Sequence, residues 1–113
     1  MKKENSTNAI NEAYLKELCA VQESLNLISS RWTLAVLYAI DKGNNRFSSL
    51  QKELENISKK VLSDRVNLLC ESGIIQKEII TEKPLNIEYQ ITKKGQELIE
   101  VLAPIKLWAK NNR

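Results

Sequence analysis

Phe47-Ser-Ser-Leu-Gln-Lys-Glu-Leu-Glu-Asn-Ile-Ser-Lys-Lys-Val-Leu-Ser-Asp-Arg-Val-Asn-Leu-Leu-Cys-Glu-Ser-Gly73 contains two helix starts separated by one short break. Ser48 and Gln51 stand at capping-box spacing, which predicts a helix from Ser48. Leu50, Leu54 and Ile57 recur at helical spacing and face a core with Phe47. Glu55-Asn56-Ile57 breaks the pattern. Ser58 then caps a second helix that runs to about Ser72, with Ile57 and Leu62 at the two positions of a hydrophobic staple. Leu62, Val66 and Leu69 form its buried stripe, and Gly73 ends it.

Downstream the period changes. Ile74 to Ile80 is a β-rich run, Thr81 to Asn86 a polar turn containing Pro84, and Ile87, Tyr89 and Ile91 alternate with Glu88 and Gln90 as in a half-buried strand. The two strands make a hairpin. Thr92 caps a last helix with an apolar face of Leu98, Val101, Leu102, Ile105 and Trp108, which Pro104 is expected to kink. Upstream, residues 1–8 read as a flexible polar tail. A short helix is expected over Ala9 to Leu18 and another over Val21 to Ile28. Ser30 is expected to cap a third from Arg31 to about Lys42, apolar on all sides and therefore the buried centre of the core. Gly43 stops it.

Composition narrows the function classes. The 113 residues suit one domain, and 42% of them are hydrophobic, enough for one core. The longest apolar run, Leu34 to Ile40, is far shorter than the ~20 residues of a membrane span. The polar stretch from Met1 to Tyr14 lacks a signal-peptide core, so a cytoplasmic location and no membrane partner are expected. Histidine is absent, and only two cysteines and three glycines occur. That removes the commonest general base, a cysteine cage and a glycine-rich phosphate loop. No catalytic residue, cofactor or metal is expected, and an enzyme is disfavoured. The net charge of +3 permits a phosphate-facing surface.

Two helices around a short turn followed by a hairpin is the order of a winged helix-turn-helix. The chain is thus read as mainly α with a small β-hairpin wing, and with N- and C-terminal dimerisation helices. The helix-turn-helix spans residues 48–72, the wing 74–91 and the C-terminal helix 93–112. A DNA major groove about 12 Å wide admits one helix, here the one following Ser58. At 100° per residue, Lys60, Asp64 and Asn67 point away from the buried stripe, with Ser63 beside Asn67 and Lys59 nearer the core edge. Lysine can bond guanine and asparagine adenine. Asp64 either accepts from a cytosine amino group or pairs with Lys60. Arg46, Ser48, Ser58 and Lys83 at the wing tip complete the DNA-facing set. Tyr14, Leu18, Val101, Ile105 and Trp108 are the expected dimer contacts. The expected partners are double-stranded DNA carrying a pseudo-palindromic operator and a second copy of the chain. A protein-interaction module is the alternative.

The sequence also resembles the HxlR-type regulators, relatives of the MarR-type winged-helix proteins. The resemblance covers about Cys19 to Trp108. It rests on Cys19 to Leu34, Arg46-Phe-Ser-Ser-Leu50, Ile57-Ser-Lys-Lys-Val-Leu-Ser-Asp-Arg-Val66, Gly73-Ile74, and Ile87-Glu-Tyr-Gln-Ile-Thr-Lys-Lys-Gly95. It implies dimeric DNA binding and control of nearby genes and, in some members, an N-terminal cysteine that senses oxidants or electrophiles. Ser29-Ser30 departs from a common glycine pair, Asn86 from a common basic wing residue, and Ala20 from a common proline. Cys19 is thus either a packed apolar side chain near the dimer contact or a sensor thiol activated by a helix start. Cys70 reads as structural.

Overall fold

The computed structural model describes the backbone from Lys2 to Arg113 and side chains from Ala9 onward. The elements run α1 (Lys2–Ser29), α2 (Thr33–Asp41), α3 (Phe47–Glu53), α4 (Lys59–Glu71), β1 (Ile75–Glu82), β2 (Leu85–Ile91) and α5 (Lys93–Asn111). The two short helices expected between Ala9 and Ile28 are one continuous α1. No glycine or proline falls in this stretch, so nothing interrupts the backbone ladder near Cys19. The helix also takes in the backbone from Lys2, where a tail was expected; Met1 lies outside the described residues.

Ser30 does not cap α2. That helix starts two residues later than expected, at Thr33, and its N-cap is Trp32 at φ 78°, with no side-chain cap. The left-handed region is unfavourable for a bulky residue by roughly 1–2 kcal/mol. It is held there by what surrounds the α1–α2 joint. Nor is α2 buried all round. Thr33, Val36, Leu37, Ala39 and Ile40 are buried, whereas Leu34 reaches the surface. The remaining core comes from every later element: Leu50, Ile57, Leu62, Val66, Leu69, Ile74, Ile75, Tyr89 and Leu102.

Two helix ends close alike. After α4, the Gly73 N–H donates to the Cys70 carbonyl and the Ile74 N–H to that of Leu69, and Gly73 sits at φ +76°. This is a Schellman closure, and the same one follows α2, where the Gly43 N–H donates to the Ile40 carbonyl and the Asn44 N–H to that of Ala39. It turns the chain from α4 straight into β1.

The hairpin is tighter than expected. β1 and β2 pair antiparallel from Ile75↔Ile91 to Glu82↔Leu85, with an irregularity between Ile79 and Thr81. The turn is therefore Lys83–Pro84, joined by a cis peptide bond, and not the six residues from Thr81 to Asn86. The Tyr89 N–H donates to the Asn45 carbonyl (2.8 Å), so the α2–α3 loop lies along β2 and fixes the wing to the helices. Thr92 caps α5 as expected, its hydroxyl accepting from Gly95 N–H. α5 runs through Pro104 without ending.

Candidate nucleic-acid interface

α4 is the best-defined part of the site. Ser58 Oγ accepts from the Val61 N–H at 3.1 Å, so the first turn is fixed where a groove-entering helix must present side chains. Leu62, Val66 and Leu69 are buried, as the angular reading requires, and Ile57 packs beneath them. Lys59, Lys60, Asp64 and Asn67 are exposed on the opposite side, while Ser63 is half-buried at its margin. Lys60 and Asp64 face each other one turn apart, Nζ to Oδ2 3.1 Å, both well solvated. This is the pairing alternative for Asp64, and an exposed pair of this kind contributes only about 0.3–0.5 kcal/mol.

The other predicted residues are placed less uniformly. Helix α3 starts at Phe47, one residue before the expected Ser48, and Arg46 is its N-cap without a side-chain bond. Ser48 is therefore an exposed first-turn residue with its hydroxyl uncommitted to capping. Phe47 in its place turns inward and packs on the core. Arg46 lies 3.7 Å from Glu88, whose other oxygen accepts from Asn45. A wing carboxylate thus faces this guanidinium. Lys83 stands exposed at the hairpin turn, next to exposed Leu85.

Among the residues the sequence reading passed over, Arg65 stands out. It lies on α4, yet its Nε donates to the Arg31 carbonyl at 2.6 Å. No sequence signal predicts this contact, because it joins positions 34 apart through the packing of α4 beside the α1–α2 joint.

Away from α4 the expected dimer residues share one property. Tyr14, Leu18, Val101, Ile105 and Trp108 are all 45–68% exposed. Ile10, Leu15, Val21, Leu25 and Leu107 join them as large apolar side chains in water. Between α1 and α5 lies an apolar groove of about 700 Å³, walled by Val21, Leu25, Leu98, Val101 and Ile105.

Cys19 is exposed in the middle of α1, ten residues before its last, Ser29, and not ahead of a helix start. The dipole argument for activating it therefore fails. The packed-residue reading fails within one chain too. Cys70 is half-buried, and burial pushes its thiol pKa up, with Lys77 opposing and Glu71 reinforcing the shift.

Residues 27–113, which hold the helix-turn-helix, the wing and α5, match the HxlR-like helix-turn-helix family. The chain belongs to this family. HxlR-like relatives share most of its length. The HTH-type transcriptional regulator YvaP of Bacillus subtilis is 34% identical over 94 residues, spanning 82% of this chain and 87% of its own. A crystal structure from Enterococcus faecalis V583, assigned to the MarR family of transcriptional regulators, has a TM-score of 0.77 at 26% identity and covers 83% of this chain and 86% of its own. Diamide-treated YodB of B. subtilis has a TM-score of 0.72 at 26% identity, covering 80% and 89%. The winged helix-turn-helix fold read from the order of elements is thus the fold of its relatives. No helix among the described residues is long and apolar enough to cross a membrane.

Proposed function

We propose that the protein is a homodimeric, sequence-specific DNA-binding transcriptional regulator in which α4 enters the major groove. The observation that carries this is the exposed Lys60–Asp64–Asn67 face of a helix whose start is fixed by Ser58 and whose back is buried in the core. Membership of a helix-turn-helix family supports it. Lys60, Ser63 and Asn67 reach base edges. Ser48, Ser58, Lys59 and Arg46 border the groove, and Lys83 meets the phosphate backbone. Two copies joined through α1 and α5 place two such helices on a pseudo-palindromic operator, half-sites about one helical turn apart. Cys19 adds redox or electrophile control. Its exposed thiol stands on α1, the helix that also carries apolar residues offered to a second copy, and a relative has been crystallised after treatment with the thiol oxidant diamide.

The test is a titration against duplexes selected from a random library and against scrambled ones, at several salt concentrations. Asn67→Ala should cost on the order of 1–3 kcal/mol on the selected duplex and relax preference at one base position. Lys83→Ala should weaken all duplexes alike and flatten the salt dependence by about one unit of slope. Asp64→Asn, which frees Lys60, should raise affinity for scrambled DNA. Equal losses on both duplexes for Asn67→Ala would remove α4 as the reading helix. A parent protein without salt-dependent DNA affinity would leave a protein-interaction module instead.

A further inference from the structure

Arginine on a helix that faces DNA is ordinarily taken for a phosphate ligand, and Arg65 is two residues from Asn67 on α4. Its position and its bond say otherwise. At 100° per residue it stands about 140° around the helix from Lys60, on the flank beside the buried stripe. It is half-buried, and its Nε–H is directed to the carbonyl of Arg31, the last residue before the left-handed Trp32. The Arg31 guanidinium in turn lies over the Trp32 ring, 5.6 Å from its centroid. Three residues, Arg31, Trp32 and Arg65, therefore form one joint where the end of α1, the start of α2 and the middle of α4 meet.

We propose that Arg65 is a positioning residue and not a phosphate contact: its bond to the Arg31 carbonyl holds the strained α1–α2 joint and sets the angle at which α4 is carried relative to α1. A bulky residue stays in the left-handed region only where its surroundings over-determine it. A side-chain N–H bonded to the preceding carbonyl is such a restraint. α1 also carries the exposed apolar row offered to a second copy. The joint therefore links the dimer-forming helix to the reading helix within one chain, and fixes where Lys60 and Asn67 fall on a half-site. The inference deepens the reading of α4 as the DNA-entering helix and rests on it.

Side-chain chemistry separates the two roles of Arg65. Glutamine places an N–H donor at the same distance along the side chain as arginine Nε but has no charge. Lysine keeps the charge but puts a methylene at that atom. The Trp32 indole N–H resonance, followed by NMR without DNA, reports on the joint. Affinity for the selected and scrambled duplexes, and its salt slope, report on DNA. Arg65→Gln should keep the Trp32 resonance, the preference for the selected duplex and the salt slope of the parent. Arg65→Lys and Arg65→Ala should shift the resonance and lose about tenfold in affinity on the selected duplex, the equivalent of one hydrogen bond, with the slope unchanged. The reverse pattern, in which Lys behaves as the parent while Gln lowers the slope by about one unit, makes Arg65 a phosphate ligand and overturns the proposal. So does failure of Gln to restore the Trp32 resonance, or loss of fold in the Gln variant, or parent-like behaviour of all three. If the Trp32 pattern holds but the parent binds no DNA, the joint stands and the DNA-reading role of α4 falls.

Discussion

Cys19 and Cys70 show how neighbours decide what a side chain can do. Both are free thiols, one exposed on α1 and one half-buried against the core. Burial raises the Cys70 pKa, so less of it is thiolate at neutral pH, and reagents reach it poorly. A single equivalent of iodoacetamide should label the exposed Cys19 and leave Cys70 unmodified, as peptide mass spectrometry would show. Equal labelling would mean that the C-terminal end of α4 opens readily, and Cys70 would replace Cys19 as the thiol to test. Diamide should then change DNA affinity in the parent and not in Cys19→Ser. An identical response in both would make Cys19 only a surface residue.

At the scale of elements, the wing and α5 are set by one close approach. A Cβ on Gly95 would collide with the Ile74 carbonyl oxygen and meet Ile91 Cγ2 at 2.7 Å. The obstacle is backbone, so it cannot rotate aside. Gly95 therefore lets the first turn of α5 rest on the α4–β1 junction, where Thr92 also bonds the Ile74 carbonyl at 3.0 Å. Gly95→Ala should destabilise the fold by about 2–3 kcal/mol in urea titration, in spite of alanine's better helix propensity. Unchanged or increased stability would show that α5 can lift off the sheet at no cost. The sequence suggested Gly95 only as part of a matching segment. Which backbone it must clear is a long-range fact.

As a whole molecule, the single chain is too open for its size. Its radius of gyration is 18.4 Å, against about 13 Å for a compact chain of this length. Its accessible surface is 8572 Å², against about 6,300 Å² for a folded monomer of this mass. Most of the large apolar side chains left in water lie on α1 and α5. A second copy covering them is the economical arrangement, since burying such faces contributes roughly 25 cal/mol per Å². Sedimentation at micromolar concentration should give twice the 12.9 kDa chain mass. Ile105→Asp, on the groove wall, should shift it toward the monomer while leaving the helix-turn-helix folded by circular dichroism. A parent that sediments as a monomer would remove the dimer.

By itself, the sequence determined the features that depend on spacing along one element. The outward Lys60, Asp64 and Asn67, the Ser58 and Thr92 caps, the closures at Gly43 and Gly73, and the change of period into the hairpin are all local. Periodicity and capping chemistry act within a few residues, so they are legible without the fold. Tertiary structure decided what depends on neighbours distant in the chain. Ser29-Ser30 looked like a helix start, but the turn closes at Trp32, where packing of α4 against the joint favours a conformation that local propensity disfavours. Helix α3 starts at Phe47 with Arg46, not Ser48, as its N-cap, because an aromatic side chain gains more by reaching the core than a hydroxyl gains from one capping bond. Cys19 seemed to precede a helix because weak apolar patterns met there, although the backbone had no reason to break. Spacing along α4 sets Arg65 on the flank beside the buried stripe, but says nothing of what it bonds. Only the placement of Arg31 beside it, 34 residues earlier, gives its guanidinium a partner inside the protein.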